Sequence, residues 1–190
     1  HQPGLMIRGL RYIHRLKRAG VKILQAHVLQ GIEAVSDHHL LTADPGVQLR
    51  LGATALAAGN ASALITLEDI HNAGGNTQES LEFPGGLFDF VVTGLAQAGQ
   101  SVRVVLPQLA PLTAGAEYRK HVPGSGWQDY IVDANNRIAS AAGSDGACPA
   151  AGDKAYRKGL HTGDYCIELT IEDGGPNDTD GLRNGVIRDP

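Results

Sequence analysis

The stretch Leu87-Phe-Asp-Phe-Val-Val-Thr-Gly-Leu-Ala-Gln-Ala-Gly-Gln-Ser-Val-Arg-Val-Val-Leu106 decides the fold class. Two runs rich in β-branched and aromatic residues flank a Gly/Gln turn at 94–100, and Pro107 closes the second run. Such side chains fit a pleated, half-buried surface better than a helix, so both runs read as strands and the pair as an antiparallel hairpin with a longer loop. Upstream, the turn Asp44-Pro-Gly46 leads into Val47-Gln-Leu-Arg-Leu51, whose alternation puts Val47, Leu49 and Leu51 inward. Further strands are expected at 21–28, 63–67, 117–121, 128–132, 137–140 and 165–171. Ala55-Leu-Ala-Ala58 fits a helix or a strand and turn, and residues 71–80 read as a Gly/Asn loop. Short strands at roughly ten-residue spacing predict an all-β or mainly β chain, an antiparallel β-sandwich or barrel-like module.

Composition agrees with many turns between short strands. The chain has 190 residues, 42% of them hydrophobic, which is enough for a core. Its 25 glycines and 9 prolines make up about 18% of it, above the ~12% background, and only 5% is aromatic. A coiled coil or helical bundle is excluded, and no apolar run is long enough for a transmembrane helix. Residues 5–18 are the exception to the β pattern. Leu5, Met6, Leu10, Ile13 and Leu16 share one side of a helical wheel, with Arg8, Arg11, Arg15 and Arg18 opposite, and Ala19-Gly20 supply a C-cap. A short N-terminal helix is expected; Gly9 costs it ~1 kcal/mol and leaves a strand as the alternative. The chain divides into a basic segment, 1–35, and a β domain, 36–190.

The net charge of −4 conceals an uneven distribution. Residues 1–20 hold five bases and no acid, so the remainder carries −9. Seven acids against two bases fill residues 164–190, which argues against a nucleic-acid partner and for a cation. Within that tail, Asp178, Asp180 and Asn184 form a D-x-D-G-x-x-N frame with Gly181 at the turn. The frame resembles the second half of an EF-hand or a thrombospondin type 3 repeat, and Ca²⁺ takes such hard oxygen donors. Asp173 and Asp189 are candidate additional ligands. Pro176 stands where the first EF-hand ligand would be and no Glu closes the loop, so an acidic surface turn without metal is the competing account.

Cys148 and Cys166 match no CxxC pair. They read as a disulfide of an oxidising compartment, with two buried thiols as the alternative. No HExxH, GxSxG or Walker loop occurs, and the Gly-Gly pairs lack a GxGxxG frame, so no enzyme is expected. The chain opens on His1 with no leader pattern, as a mature or excised piece of something longer would.

The succession Tyr118-Arg-Lys120, Gly126-Trp-Gln-Asp129, Ala139-Ser-Ala141, Gly146-Ala-Cys-Pro149, Tyr156, Gly159-Leu160, Cys166 and Leu169-Thr-Ile-Glu-Asp-Gly-Gly-Pro-Asn-Asp-Thr-Asp-Gly181, through Asn184-Gly185 to Asp189-Pro190, resembles the bacterial choice-of-anchor U domain. Asp44-Pro-Gly46, Leu49-Arg-Leu-Gly52 and Gly86-Leu-Phe-Asp-Phe90 extend the resemblance over about residues 40–190. It implies a secreted or cell-surface protein of a Gram-negative bacterium, favours a Cys148–Cys166 disulfide, and supplies a location without a reaction.

The expected function is therefore a non-enzymatic extracellular structural module, adhesive or self-assembling into filaments, with a calcium-stabilised C-terminal loop. Arg8, Arg11, Arg15 and Arg18 would meet the acidic tail of a neighbouring copy, making a homo-oligomer or a contact with other surface proteins. The alternative is a polysaccharide-binding surface domain, with Trp127, Tyr130 and Phe88 as stacking candidates that could equally belong to the core.

Overall fold

The alternation read along 47–51 and 101–106 is realised as strands with their apolar faces buried. The computed structural model describes residues 22–23, 40–75, 81–144 and 147–190. In chain order the elements are β1 (Lys22–Ile23), β2 (Thr42–Ala43), β3 (Gln48–Leu51), α1 (Ala53–Ala57), β4 (Leu64–Ile65), α2 (Leu67–Asn72), β5 (Leu87–Phe88), β6 (Phe90–Thr93), β7 (Ser101–Pro107), β8 (Arg119–Val122), β9 (Gly126–Asp129), β10 (Arg137–Ala141), β11 (Arg157–Lys158), β12 (Cys166–Glu172) and β13 (Ile187–Asp189). The protein is mainly β, and the strand pairs among the described residues are antiparallel. The proposed helix at 5–18 lies outside the described residues. Of the strand expected at 21–28, Lys22–Ile23 is described.

One sheet runs β1-β2-β7-β12-β10-β11 and a second runs β13-β6-β3; β4-β5 and β8-β9 form two-stranded ribbons. Val102, Val104 and Leu106 from β7, Leu169 and Ile171 from β12, Leu49 and Leu51 from β3, Phe90 and Val92 from β6, and Ile187 from β13 belong to one hydrophobic cluster. The two larger sheets thus share a core, as the sandwich reading expected.

The hairpin expected at 87–106 does not form. β6 lies between β3 and β13, and β7 lies between β2 and β12, so each strand has both edges occupied before the two could meet. Residues 94–100 are not a hairpin loop; they carry the chain from the smaller sheet to the larger one. The ribbon of β8 and β9 answers to the strands expected at 117–121 and 128–132, shifted toward a shorter turn. Ala53–Ala57 is helical. Its amino end is closed from outside, because the Asp89 carboxylate accepts from Ala55 N at 2.8 Å. Gly52 leaves room for that carboxylate; a Cβ there would stand 1.7 Å from Asp89 Oδ1. α2 was not foreseen. Thr66 and Asp69 form a capping box that starts it, and its last residues occupy the beginning of the expected 71–80 loop.

Cys148 and Cys166 are joined by a disulfide. The bond anchors the segment after Cys148 over the outer face of β7 and β12. There Glu168 Oε2 accepts from Gly152 N at 2.6 Å, while Val105, opposite Glu168 in the register, is fully buried. Because Leu169 is fully buried in the shared core and Leu182 is 58% exposed, truncation should separate them. Leu169→Ala is expected to lower stability by about 2–5 kcal/mol, and Leu182→Ala by less than about 0.5 kcal/mol; urea denaturation midpoints check both.

Candidate functional site

Three groupings of polar or aromatic side chains gather the residues on which chemistry or recognition could rest. The first is the acidic loop between β12 and β13. Asp173 Oδ2 accepts from Gly99 N at 2.7 Å and Gly185 N at 2.8 Å, and its Oδ1 from Asn184 N at 3.3 Å. Asp178 accepts from Gly174 N at 2.9 Å and Arg188 N at 3.0 Å. Asp180 takes the Leu182 N–H, the Asn184 side-chain amide and the Arg188 guanidinium. Asn177, fully buried, spans Ile131 N at 2.8 Å and Ile131 O at 2.7 Å. The fold therefore brings Asp173, Asp178, Asp180 and Asn184 into one loop, with their oxygens turned on backbone amides. Among the described residues no set of three or more His, Cys, Asp or Glu is disposed to hold a metal ion. Asp189 stands apart from the other four proposed calcium ligands.

Strand alternation explains that separation. Arg188 is exposed and faces Asp180, whereas the neighbouring Asp189 side chain turns inward and is 1% exposed. There it meets Lys120 of β8, 3% exposed, with Nζ 3.4 Å from Oδ1. Tyr118 donates its hydroxyl to Asp189 Oδ2 at 3.0 Å. Lys120 Nζ also donates to the backbone carbonyl of Asn177. Burial pushes the Asp189 carboxyl up, against the Lys120 charge and the Tyr118 hydrogen bond, which lower it. Burial and the negative charge of Asp189 likewise push the Tyr118 and Tyr130 phenols above their ordinary range.

The third grouping is a cleft of about 300 Å³ beside the β8-β9 ribbon. Phe83, Trp127, His121, Gln108 and Glu82 are among the residues that line it. Trp127 stacks on Phe83 with ring centres 4.5 Å apart and meets His121 edge-on at 5.3 Å. Of the expected stacking residues, Trp127 is at this cleft. Phe88 is a core residue that reaches the cleft lining. Tyr130 is buried in the core, with its hydroxyl donated to Thr170 O at 2.6 Å and its ring edge-on to Tyr118 at 5.6 Å. Arg8, Arg11, Arg15 and Arg18 lie outside the described residues. Sequence reading gave Lys120 and Asp89 no site role, since a lone Lys in β8 or a lone Asp between β5 and β6 carries no spacing signal.

Comparison with protein-family models, with curated proteins and with solved structures gave no match.

Three further carboxyls respond to burial: it pushes Asp178 up, opposed by the Gly174 and Arg188 N–H bonds and reinforced by Asp180 and Asp173. Burial pushes Asp89 up, opposed by hydrogen bonds from Ala55 and Thr54 and reinforced by Asp189. Burial pushes Glu168 up as well, opposed by Gly152 N–H and the Arg103 charge, with Asp44 and Asp153 reinforcing it. Between the ordinary and the raised values the folded state holds more protons than the unfolded chain, so stability is full below that window and falls as pH rises through it. Asp69 and Asp133, held low by hydrogen bonds, titrate below the ordinary 3.8 and leave that window undisturbed. Melting curves taken upward from mildly acid pH should show the melting temperature decline. Asp89→Asn, which keeps an oxygen for Ala55 N, should flatten that decline; an unchanged slope would rule out Asp89 as a source.

Proposed function

We propose that the chain is a non-enzymatic structural module of a bacterial cell surface, which associates as an adhesive or filament-type subunit with copies of itself or with other surface proteins. The observation that carries the reading is the use made of the side chains with chemical potential. Asp89, Glu168, Asp173 and Asp178 each accept hydrogen bonds from backbone N–H groups, most of them from distant segments. A catalytic carboxylate would face a substrate site instead. The disulfide suits an oxidising compartment, and the resemblance to the choice-of-anchor U domain supplies the Gram-negative surface. A calcium-stabilised C-terminal loop belongs to this proposal: Asp173, Asp178, Asp180 and Asn184 share one loop, where their oxygens accept backbone N–H bonds.

Association has a physical source in the +5 of residues 1–20 against the acidic 164–190 segment. A head-to-tail contact of that kind builds open filaments when its rotation does not close. Light scattering over a concentration series should show the mean mass rising at low salt and falling back at high salt, as screening requires. A monomer at every concentration under both conditions would remove assembly from the reading.

A second reading rests on the Phe83–Trp127 cleft. A half-buried aromatic pair beside an amide and a carboxylate suits the apolar face and hydroxyl rim of a sugar. On a glycan array the chain should then give signals that Trp127→Ala abolishes without loss of fold. Silence from the unsubstituted protein would retire this alternative.

A further inference from the structure

Lys120 and Asp189 sit on β8 and β13, at opposite ends of the domain's second half in sequence, and are 3% and 1% exposed. Their closest polar atoms, Nζ and Oδ1, are 3.4 Å apart. Oδ1 accepts no hydrogen bond among the described residues, whereas Oδ2 takes the Tyr118 hydroxyl at 3.0 Å. Tyr118 and Tyr130 pack edge to face beside the pair, and the carboxylates of Asp89 and Asp133 act on the site from farther away. Holding an ammonium and a carboxylate away from water costs several kcal/mol per ion; here the Nζ–Oδ1 contact, the Asn177 carbonyl at Nζ and the Tyr118 hydroxyl at Oδ2 offset part of it. One reaction available to this pair removes both charges.

We propose that Lys120 Nζ and Asp189 Cγ condense into an intramolecular amide, an isopeptide bond that ties β8 to β13. In the first step one Nζ proton passes to Oδ1, the direction in which burial already pushes the Asp189 carboxyl. The Nζ lone pair then forms the new bond to Cγ. Negative charge gathers on Oδ2, where the Tyr118 hydroxyl already donates and stabilises it. A second Nζ proton passes to Oδ1, the Cγ–Oδ1 bond breaks, Oδ1 leaves as water, and the Oδ2 charge collapses into the carbonyl. An ammonium and a carboxylate become an amide and one water, with no change in net charge and no oxidant or reductant. With Nζ held 3.4 Å from Oδ1 of the same carboxyl, the amine and acid are kept side by side at an effective concentration that water solutions of the two never reach. Tyr118 is the residue that stabilises the transition state, and the bond is independent of the surface role proposed above.

Intact-mass measurement on the denatured full chain decides the matter. The expected mass is below the sequence mass by one water, beyond the two hydrogens lost at the disulfide, and Lys120→Arg should restore that water. Trypsin should leave a branched peptide joining residues 120–137 to Asp189-Pro190, because acylated Lys120 resists cleavage. Tyr118→Phe should leave a larger unlinked fraction at a given time after folding. Should Lys120→Arg fail to fold, the digest of the unsubstituted chain still decides. A full mass after prolonged incubation at neutral pH, or a missing water without the branched peptide, overturns the proposal.

Discussion

Between Thr93 and Ser101 the chain leaves one sheet and enters the other, and the carboxylate of Asp173 holds that crossing in place. Asp173 follows directly on β12, a central strand of the larger sheet. Its backbone N–H donates to Gln100 O at 3.1 Å, and its side chain accepts from Gly99 in the crossing and from Asn184 and Gly185 on the way to β13. Three segments far apart in sequence thus converge on one buried group. A neutral Asn in its place would offer one acceptor oxygen for three donors, and each orphaned buried N–H costs on the order of 1–3 kcal/mol. Because the core is shared between the two sheets, the geometry of this crossing sets how the inward faces of β6 and β7 meet.

The same logic governs the other buried acids. Asp89 closes the amino end of α1 across the space that Gly52 leaves open. Glu168 receives the segment anchored by the disulfide, and Asp178 pins the turn after β12 to Arg188 at the start of β13. In a chain with so many glycines and so few aromatics, loops cannot be fixed by packing large side chains. Carboxylates that gather two or three amides do that work instead. Charge-assisted hydrogen bonds are about twice as strong as neutral ones, which offsets part of the burial cost.

Alternation along 47–51, 101–106 and 165–171 was legible as strand because the apolar period of two is a local property of the chain. The partners of those strands were not. Nothing in 87–106 distinguishes a hairpin from a crossing, since a Gly-containing link of that length serves either; the outcome depends on β3, β13, β2 and β12 competing for the same edges. The signal for α2 is Thr66 and Asp69, three residues apart, and the helix they cap is only six residues long, too short for an apolar period to show. The acidic tail stands out in the sequence as a concentration of carboxylates among glycines. Its spacing, D-x-D-G, is shared by turns that bind cations and turns whose carboxylates fold back on their own amides, and only three-dimensional placement separates the two. Asp189 shows this most plainly, since one residue of strand alternation turns it away from the loop and toward Lys120.

The two halves of the fold differ in how they are fastened. The larger sheet carries the disulfide at the edge of its longest pairing, Cys166 lying opposite Pro107 at the end of β7 and β12. The smaller sheet has three strands among the described residues, and its last, β13, is three residues long and pairs there with β6 alone. Its backbone ladder is too short to hold it against fraying, and apart from Ile187 it has little apolar area to bury. Beyond the ladder, the Arg188 backbone bonds Asp178 and Thr179, and the alternating side chains add Arg188 outward to Asp180 and Asp189 inward to Tyr118 and Lys120. On so short a strand a lasting link between side chains would add to the Asp178 and Thr179 bonds at Arg188 and to the burial of Ile187, whereas the larger sheet already has the disulfide.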